Sequence, residues 1–84
     1  MEKQDFRPLK LDRDNYVVWK WQFVNVAKAQ KMSRLFEQGA VSEELDDKGL
    51  ALLGSALSEE NMLKIINCTN FRQAWNTIQL CFEN

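Results

Sequence analysis

The segment Asn15-Tyr16-Val17-Val18-Trp19-Lys20-Trp21-Gln22-Phe23 begins the most strongly patterned part of the chain and contains two of its three tryptophans. At about 100° per residue, one set of apolar side chains in and just after this segment falls on a single helical face. These residues are Tyr16, Trp19, Phe23, Val26 and Ala27. Such a face is typical of a helix packed on a core. The pattern therefore predicts a helix over residues 14–31, with Asp14 or Asn15 as its N-cap.

A second apolar strip lies on the same helix and is separated from the first face by polar residues. It consists of Val17, Trp21 and Val24. A helix in a small bundle needs only one apolar face to join the core. Two interpretations of the strip stay open: another part of the domain packs on it, or it is exposed to solvent.

Residues 43–57 are predicted to form the second helix. Ser42 is suited to be its N-cap, and the acidic residues of its first turn are favoured by the helix dipole. Gly49 and Gly54 each cost about 1 kcal/mol of helix propensity relative to alanine. Close approach of a neighbouring helix is the simplest reason for both glycines.

Two further helices are predicted after the second one. Residues 59–67 follow Ser58 as an N-cap. Residues 70–83 form the last helix with Thr69 or Asn70 as its cap, and Asn70 has capping-box spacing with Gln73. The last helix has the cleanest amphipathic pattern, because six apolar residues share one face. They are Phe71, Ala74, Trp75, Ile78, Cys81 and Phe82. This pattern continues to the end of the chain, so we expect the domain to be part of a longer protein.

Residues 1–12 are predicted to form a short extended arm, because Leu9 and Leu11 alternate with Lys10. Packing of the arm on its own domain is favoured over a role as a peptide for a partner. Together these elements predict that residues 1–84 form a single all-α domain. Its architecture is a small bundle of four to five helices with an N-terminal arm.

Composition excludes most kinds of chemistry. Eleven basic and twelve acidic side chains leave a net charge of −1, and the chain has no histidine. Without histidine, Ser-His and Cys-His catalysis and the common zinc sites cannot be built. The acidic residues at 43–47 lack the glycine-centred spacing of a calcium loop. We therefore expect no enzymatic activity, no cofactor and no metal.

The two cysteines and the hydropathy of the chain bear on its compartment. Cys68 and Cys81 each lie among apolar residues, so we expect buried free thiols in a cytosolic or nuclear protein. No apolar run approaches the ~18 residues of a membrane span, and the N-terminus is too polar for a secretory signal. We expect an intracellular protein without membrane contact.

One basic cluster could contact phosphates. It consists of Lys20, Lys28, Lys31 and Arg34. Binding through such a cluster would depend strongly on salt. The net charge provides no attraction of the whole domain for nucleic acid, so a solvated helix surface is the favoured interpretation.

Two stretches together resemble the N-terminal part of copia-type retrotransposon Gag proteins. The first, Leu11-Asp12-Arg13-Asp14-Asn15-Tyr16-Val17-Val18-Trp19-Lys20, is similar to the family pattern of an apolar residue, a polar turn, Asn-Tyr, two variable residues and Trp-Lys. The second contains Ile65-Ile66-Asn67-Cys68 and Ala74-Trp75-Asn76-Thr77-Ile78. It is similar to the family's Ile-x-x-Cys-like segment, followed by Ala-Trp and an apolar residue. Order and separation fit over residues 9–82.

The resemblance implies a capsid-type helical domain that associates with itself and has no catalytic role. Its core signature positions are Tyr16, Trp19, Phe23 and Trp75. In the family, the position of Trp21 is more often polar, and Trp21 falls on the second strip. A host protein that has taken over a Gag-like domain is therefore an alternative to an element-encoded capsid.

The main functional hypothesis is a homo-oligomeric protein–protein interaction module. Val17, Trp21 and Val24 are the predicted interface, and Leu80, on the opposite side of the last helix, is a further candidate. The alternative is an adaptor whose strip binds a helix of another protein. Nucleic-acid binding is the least favoured of the three hypotheses.

Overall fold

The computed structural model of the protein describes residues 9–83. This part of the chain contains four α-helices and a short 3₁₀ helix. In order they are α1 (Tyr16–Ala29), the 3₁₀ helix (Ser33–Phe36), α2 (Glu43–Ser55), α3 (Glu59–Ile65) and α4 (Phe71–Glu83). The predicted all-α bundle of four to five helices is confirmed.

Aromatic rings from three elements form the centre of the core. Phe23 of α1 stacks on Trp75 of α4 with ring centroids 5.1 Å apart, and Phe71 stacks on the same tryptophan at 5.7 Å. Phe36 of the 3₁₀ helix meets Trp75 edge to face at 5.3 Å. Aromatic pairs in these geometries contribute about 0.5–1.5 kcal/mol beyond their buried area. The cluster therefore joins α1, the 3₁₀ helix and α4.

α1 is shorter at both ends than the predicted 14–31. At its C-terminal end Lys31 adopts a left-handed backbone with φ 63°. The Lys31 N–H donates to the Lys28 carbonyl at 2.9 Å, and the Met32 N–H donates to the Ala27 carbonyl at 2.8 Å. These two bonds form a Schellman motif, which ends the helix before residue 31.

The side chain of Asn15 stabilises the turn that precedes α1. It occupies the N-cap position, but its side chain does not cap the helix. Its Oδ1 accepts from the Asp12 N–H at 2.8 Å, and its Nδ2 donates to the Lys10 carbonyl at 2.9 Å. The asparagine thus shapes the incoming chain, and the regular helix begins one residue later.

The segment before α1 docks on the bundle through Leu11, which is fully buried. Leu11 forms an isolated parallel bridge with Leu57. The Leu11 N–H donates to the Ala56 carbonyl at 2.8 Å, and the Ser58 N–H donates to the Leu11 carbonyl at 3.3 Å. The C-terminal end of the predicted arm therefore lies on the domain, and residues 1–8 of that prediction lie outside the described residues.

The predicted second helix, 43–57, ends early, at Ser55. The next carbonyl, that of Ala56, accepts the Leu11 N–H and also the Trp19 Nε1–H, each at 2.8 Å. The helix ends because the Ala56 and Leu57 N–H groups donate to the carbonyls three residues back, those of Leu53 and Gly54, which closes the last turn more tightly than an α-helix. α3 also ends before the predicted residue 67. Its last residue is Ile65, whose carbonyl accepts from the Cys68 N–H in the turn that follows.

The two glycines of α2 differ in their surroundings. A Cβ on Gly49 would lie 2.7 Å from Leu35 Cδ1 and 3.1 Å from Phe71 Cδ1. A Cβ on Gly54 would meet no atom within 4 Å. Close approach therefore explains Gly49, and the same prediction for Gly54 is wrong because its side of α2 faces open space.

The N-terminus of α4 is capped from two directions. Asn70 Oδ1 accepts from the Gln73 N–H at 2.8 Å, as predicted, and Gln73 Oε1 accepts from the Thr69 N–H at 2.9 Å. In addition, Asp46 of α2 accepts from the Phe71 N–H at 2.9 Å. The helix begins at Phe71 because Asn70 serves as its cap.

The cysteines are less buried than predicted. Cys68 is half-buried and Cys81 is exposed, so the prediction of a buried thiol is wrong for Cys81. On a helical projection Cys81 lies roughly 80° from Phe71, at the edge of the apolar face of α4. An edge position in the last turn leaves the thiol in solvent.

Candidate interaction surface

α1 has two apolar surfaces, one buried in the core and the other largely exposed to solvent. Trp19 and Phe23 are almost completely buried, and Tyr16 is half-buried. Val17 and Trp21, in contrast, are 80% and 70% exposed. Within the described part of the chain, no element covers these two residues, although the neighbouring Val24 packs partly against the core. We call Val17, Trp21 and Val24 the α1 strip.

The α1 strip forms one wall of a groove between α1 and the C-terminal end of α4. The groove has a volume of about 810 Å³ and is open to solvent along α1. Its lining residues are Tyr16, Val17, Lys20, Trp21, Val24, Asn25, Lys28, Phe82 and Glu83. Most of them come from α1 and share the face centred on the strip. The groove is therefore a helix surface bordered by the end of α4.

A polar cluster closes the end of the groove near α4. Tyr16 stacks on Phe82 with ring centroids 5.3 Å apart, and its hydroxyl donates to the carboxylate of Glu83. Lys20 Nζ lies 2.7 Å from Glu83 Oε2 and 3.3 Å from Gln79 Oε1. These contacts hold the last turn of α4 against the first turn of α1.

The same contacts change the pKa values of two groups. The hydrogen bond from Lys20 is the largest cause that lowers the pKa of Glu83, and the hydrogen bond from Tyr16 adds to it. Burial raises the pKa of Tyr16, and its hydrogen bond to the Glu83 carboxylate raises it further. At neutral pH the cluster therefore contains a neutral Tyr16 phenol and an ionised Glu83 carboxylate.

The remaining predicted residues are distributed over other surfaces. Trp75 lies in the core with an exposed fraction of 8%. Leu80 is 71% exposed but does not line the groove, since it points away from the core-facing side of α4. The structure therefore brings Val17, Trp21 and Val24 together and leaves Leu80 apart from them.

The four basic residues do not form one patch with free charges. Lys20 is paired with Glu83, and Lys28 lies in the wall of the groove. Lys31 is in the turn after α1, and Arg34 belongs to the 3₁₀ helix. The groove thus contains two lysines, Lys20 with a carboxylate partner and Lys28 in the wall.

The exposed apolar residues of α3 and of its C-cap, Ile66, were not singled out from the sequence. Leu63 and Ile66 are largely exposed and Met62 is partly exposed, whereas Ile65 is buried. A seven-residue helix makes fewer than two full turns, and two buried residues, Asn61 and Ile65, dock it on the bundle. That short length was the signal that most of its apolar residues would face solvent.

Residues 9–83 offer no arrangement suited to a metal or a membrane span. Over this range, no group of three or more His, Cys, Asp or Glu side chains is placed to hold a metal ion. No helix among these residues combines the length and the apolar character needed to cross a membrane.

Comparison with known proteins gives no relative. No protein-family model, no curated protein and no solved structure matches the chain.

Proposed function

We propose that this chain is a non-catalytic interaction module that associates with itself through the α1 strip. The observation that supports the proposal is the exposure of Trp21 and Val17 on a helix whose other face fills the core. Tryptophan with flanking aliphatic residues is the residue type that forms central anchors at interfaces. An unpartnered tryptophan at the centre of an open groove fits that role.

The origin of the module is part of the same proposal. The two stretches that resemble copia-type Gag support a capsid-type domain, either element-encoded or taken over by a host protein. Trp21, where the family more often has a polar residue, adds apolar area to the face that we propose as the interface. We therefore place the self-association on the feature in which this chain departs from the family pattern.

The expected association is weak and depends on concentration. Burial of each strip side chain contributes roughly 1.5–3 kcal/mol at most, and the half-buried Val24 contributes less. Association itself costs an estimated 4–15 kcal/mol. The surplus from three side chains per copy is small, so we expect a reversible dimer that forms at micromolar to millimolar protein.

Light scattering over a concentration series tests the proposal. The wild-type mass should rise towards that of a dimer, and Trp21→Glu should remain monomeric with an unchanged circular dichroism spectrum. Leu80→Glu is the matched control, because Leu80 is as exposed as Trp21 and lies outside the groove. It should associate like the wild type. Dissociation by Leu80→Glu but not by Trp21→Glu would place the interface on α4 and contradict the proposal.

A second substitution separates loss of association from loss of folding. Trp19 is fully buried and its Nε1–H donates to the Ala56 carbonyl. Trp19→Glu places a carboxylate in the core and should abolish cooperative unfolding, whereas Trp21→Glu should retain it.

The geometry also supports a heterotypic alternative. Val17, Trp21 and Val24 have the i, i+4, i+7 spacing with which one helix contacts another, and all three line the same open groove. Strictly monomeric wild-type protein at millimolar concentration would overturn self-association and favour this adaptor function. We do not propose nucleic-acid binding, because Lys20 is paired with Glu83 and the net charge is −1.

A further inference from the structure

We propose that two copies pair their α1 helices antiparallel, with a twofold axis beside Trp21. Val17 of each copy then packs on Val24 of the other, and Lys28 of each copy lies beside Asp14 of the other. This inference rests on the proposed self-association and specifies its geometry and its partner, a second copy of the chain.

The spacing of the α1 strip is almost symmetric about Trp21. Val17 precedes Trp21 by four residues and Val24 follows it by three. At 1.5 Å of rise per residue these valines lie about 6 Å and about 4.5 Å from the tryptophan along the helix. In an antiparallel pair centred on Trp21, each valine therefore meets the other valine of the second copy nearly level. An interface with a twofold axis requires this kind of self-complementarity.

The spacing of the apolar residues also permits a parallel pair, but the charges at the two ends of α1 disfavour it. Asp14 lies two residues before the first residue of α1, and Lys28 lies in its last turn, so the two ends of the helix carry opposite charges. Both side chains are exposed. A parallel pair places the two Lys28 side chains beside each other and the two Asp14 side chains beside each other. The antiparallel pair places each Lys28 beside an Asp14 carboxylate.

The other charged groups of the groove do not oppose this arrangement. Lys20 is already neutralised by Glu83 within its own chain. Charged groups at the rim of an interface contribute little affinity, but like charges in contact are unfavourable, so such groups select the orientation. The near-zero net charge of −1 also keeps repulsion between two whole copies small. The apolar strip thus supplies the affinity, and the pair Asp14 and Lys28 supplies the direction.

Cysteine cross-linking distinguishes the two orientations. The background is Cys68→Ala with Cys81→Ser, whose concentration-dependent mass must first equal that of the wild type. Val17→Cys protein is mixed with ¹⁵N-labelled Val24→Cys protein and oxidised with glutathione, and the products are weighed by mass spectrometry. The antiparallel pair should yield the mixed disulfide in several-fold excess over the two self-linked products.

Charge reversal provides an independent measurement on the full chain. Asp14→Lys alone and Lys28→Asp alone should each weaken the dimer, roughly threefold to tenfold, because each creates a like-charged contact. The double variant Asp14→Lys with Lys28→Asp should recover most of the wild-type dissociation constant. Thermal unfolding of each monomer serves as the control for folding.

Different results would contradict the antiparallel pairing and the self-association itself. Dominant self-linked products, or a dimer in which no pair cross-links, would overturn the antiparallel geometry while self-association stands. A double charge variant as weak as the single ones would also overturn it. Wild-type protein that stays monomeric throughout the concentration series would overturn both.

Discussion

Trp19 and Trp21 illustrate how much depends on single positions in this chain. They are two residues apart, yet one is fully buried and the other is 70% exposed. On a helix, two residues correspond to about 200° of rotation, which places the two indoles on opposite sides of α1. The same residue type therefore stabilises the fold at one position and is available to a partner at the other.

Gly49 and Gly54 allow the same substitution to be compared at a close-packed and an open position of α2. Gly49→Ala should destabilise the protein by about 1–2 kcal/mol, because overpacking against Leu35 and Phe71 exceeds the gain of about 1 kcal/mol in helix propensity. Gly54→Ala has open space around its Cβ and should stabilise the protein by up to about 1 kcal/mol.

Urea unfolding of the two alanine variants measures both effects. Opposite signs of the change in unfolding free energy are expected within one helix and for one chemical substitution. If Gly49→Ala were as stabilising as Gly54→Ala, the approach of Leu35 would be relieved by a shift of its side chain, and close packing would not be the reason for Gly49.

At the scale of elements, α2 contributes to the start of α4. The carboxylate of Asp46 accepts from the Phe71 N–H, one of the N–H groups that have no partner inside the helix. Asp46 lies in the first turn of its own helix, where the dipole also favours a carboxylate. One side chain therefore interacts favourably with two helix N-termini and fixes their relative position.

Asp46→Ala should reduce the unfolding free energy by about 1–2 kcal/mol, since it removes a hydrogen bond to an ionised acceptor. Asp47→Ala is the control, because Asp47 is adjacent and exposed. Hydrogen exchange should show faster exchange at the Phe71 amide in the Asp46 variant only. Equal losses in the two variants would mean that the dipole of α2, and not the bond to α4, accounts for the effect.

At the scale of the whole molecule, the contact between Tyr16, Lys20 and Glu83 joins the two ends of the described chain. The residues that meet are 67 and 63 positions apart in sequence. Because α1 and α4 are held together here, the contact also positions the wall of the groove that carries the α1 strip. The pKa shifts of Tyr16 and Glu83 make this contribution depend on pH.

The contribution of Glu83 should be lost in acid. Its pKa in the folded protein lies below the ordinary 4.5, so the unfolded chain binds the proton first as the pH falls. Stability from this group is complete above pH 4.5 and declines as the pH falls towards the folded pKa. Tyr16 has a raised pKa, so its contribution is complete below pH 10.0 and declines above it.

Urea unfolding of the wild type and of Glu83→Gln across a pH series tests the predicted loss of the Glu83 contribution to stability in acid. The difference in unfolding free energy should be constant near neutral pH and shrink below pH 4.5. Glu60→Gln, an exposed substitution away from the cluster, should show no such change of slope. A difference for Glu83→Gln that stays constant from pH 7 to pH 3 would contradict the contact.

Much of the fold could be predicted because the helical signals are local. Each signal involves residues within a few positions of one another. Examples are the apolar face of Trp19 and Phe23, the N-caps Ser42 and Ser58, and the hydrogen bond between Asn70 and Gln73. Helix ends were less predictable. α1 stops at a left-handed Lys31, a residue type that does not signal such a turn.

Candidate sites were predictable only in part. The α1 strip is visible from periodicity, but the sequence left open whether another element covers it. The apolar character of Leu63 and Ile66 wrongly suggests burial, and the short length of α3 is the signal that indicates their exposure. The exposure of Cys81 could not be foreseen, because it depends on how far the neighbouring elements extend along α4.

The sequence by itself determined that α1 has two apolar surfaces, one led by Trp19 and the other by Trp21, because the helical repeat alone separates them. Only the tertiary structure decided which surface is free. The physical reason is that burial depends on contacts between distant residues: Leu11 with Ala56, Asp46 with Phe71, and Tyr16 with Glu83. Those contacts close the core around Trp19 and leave Val17 and Trp21 in an open groove.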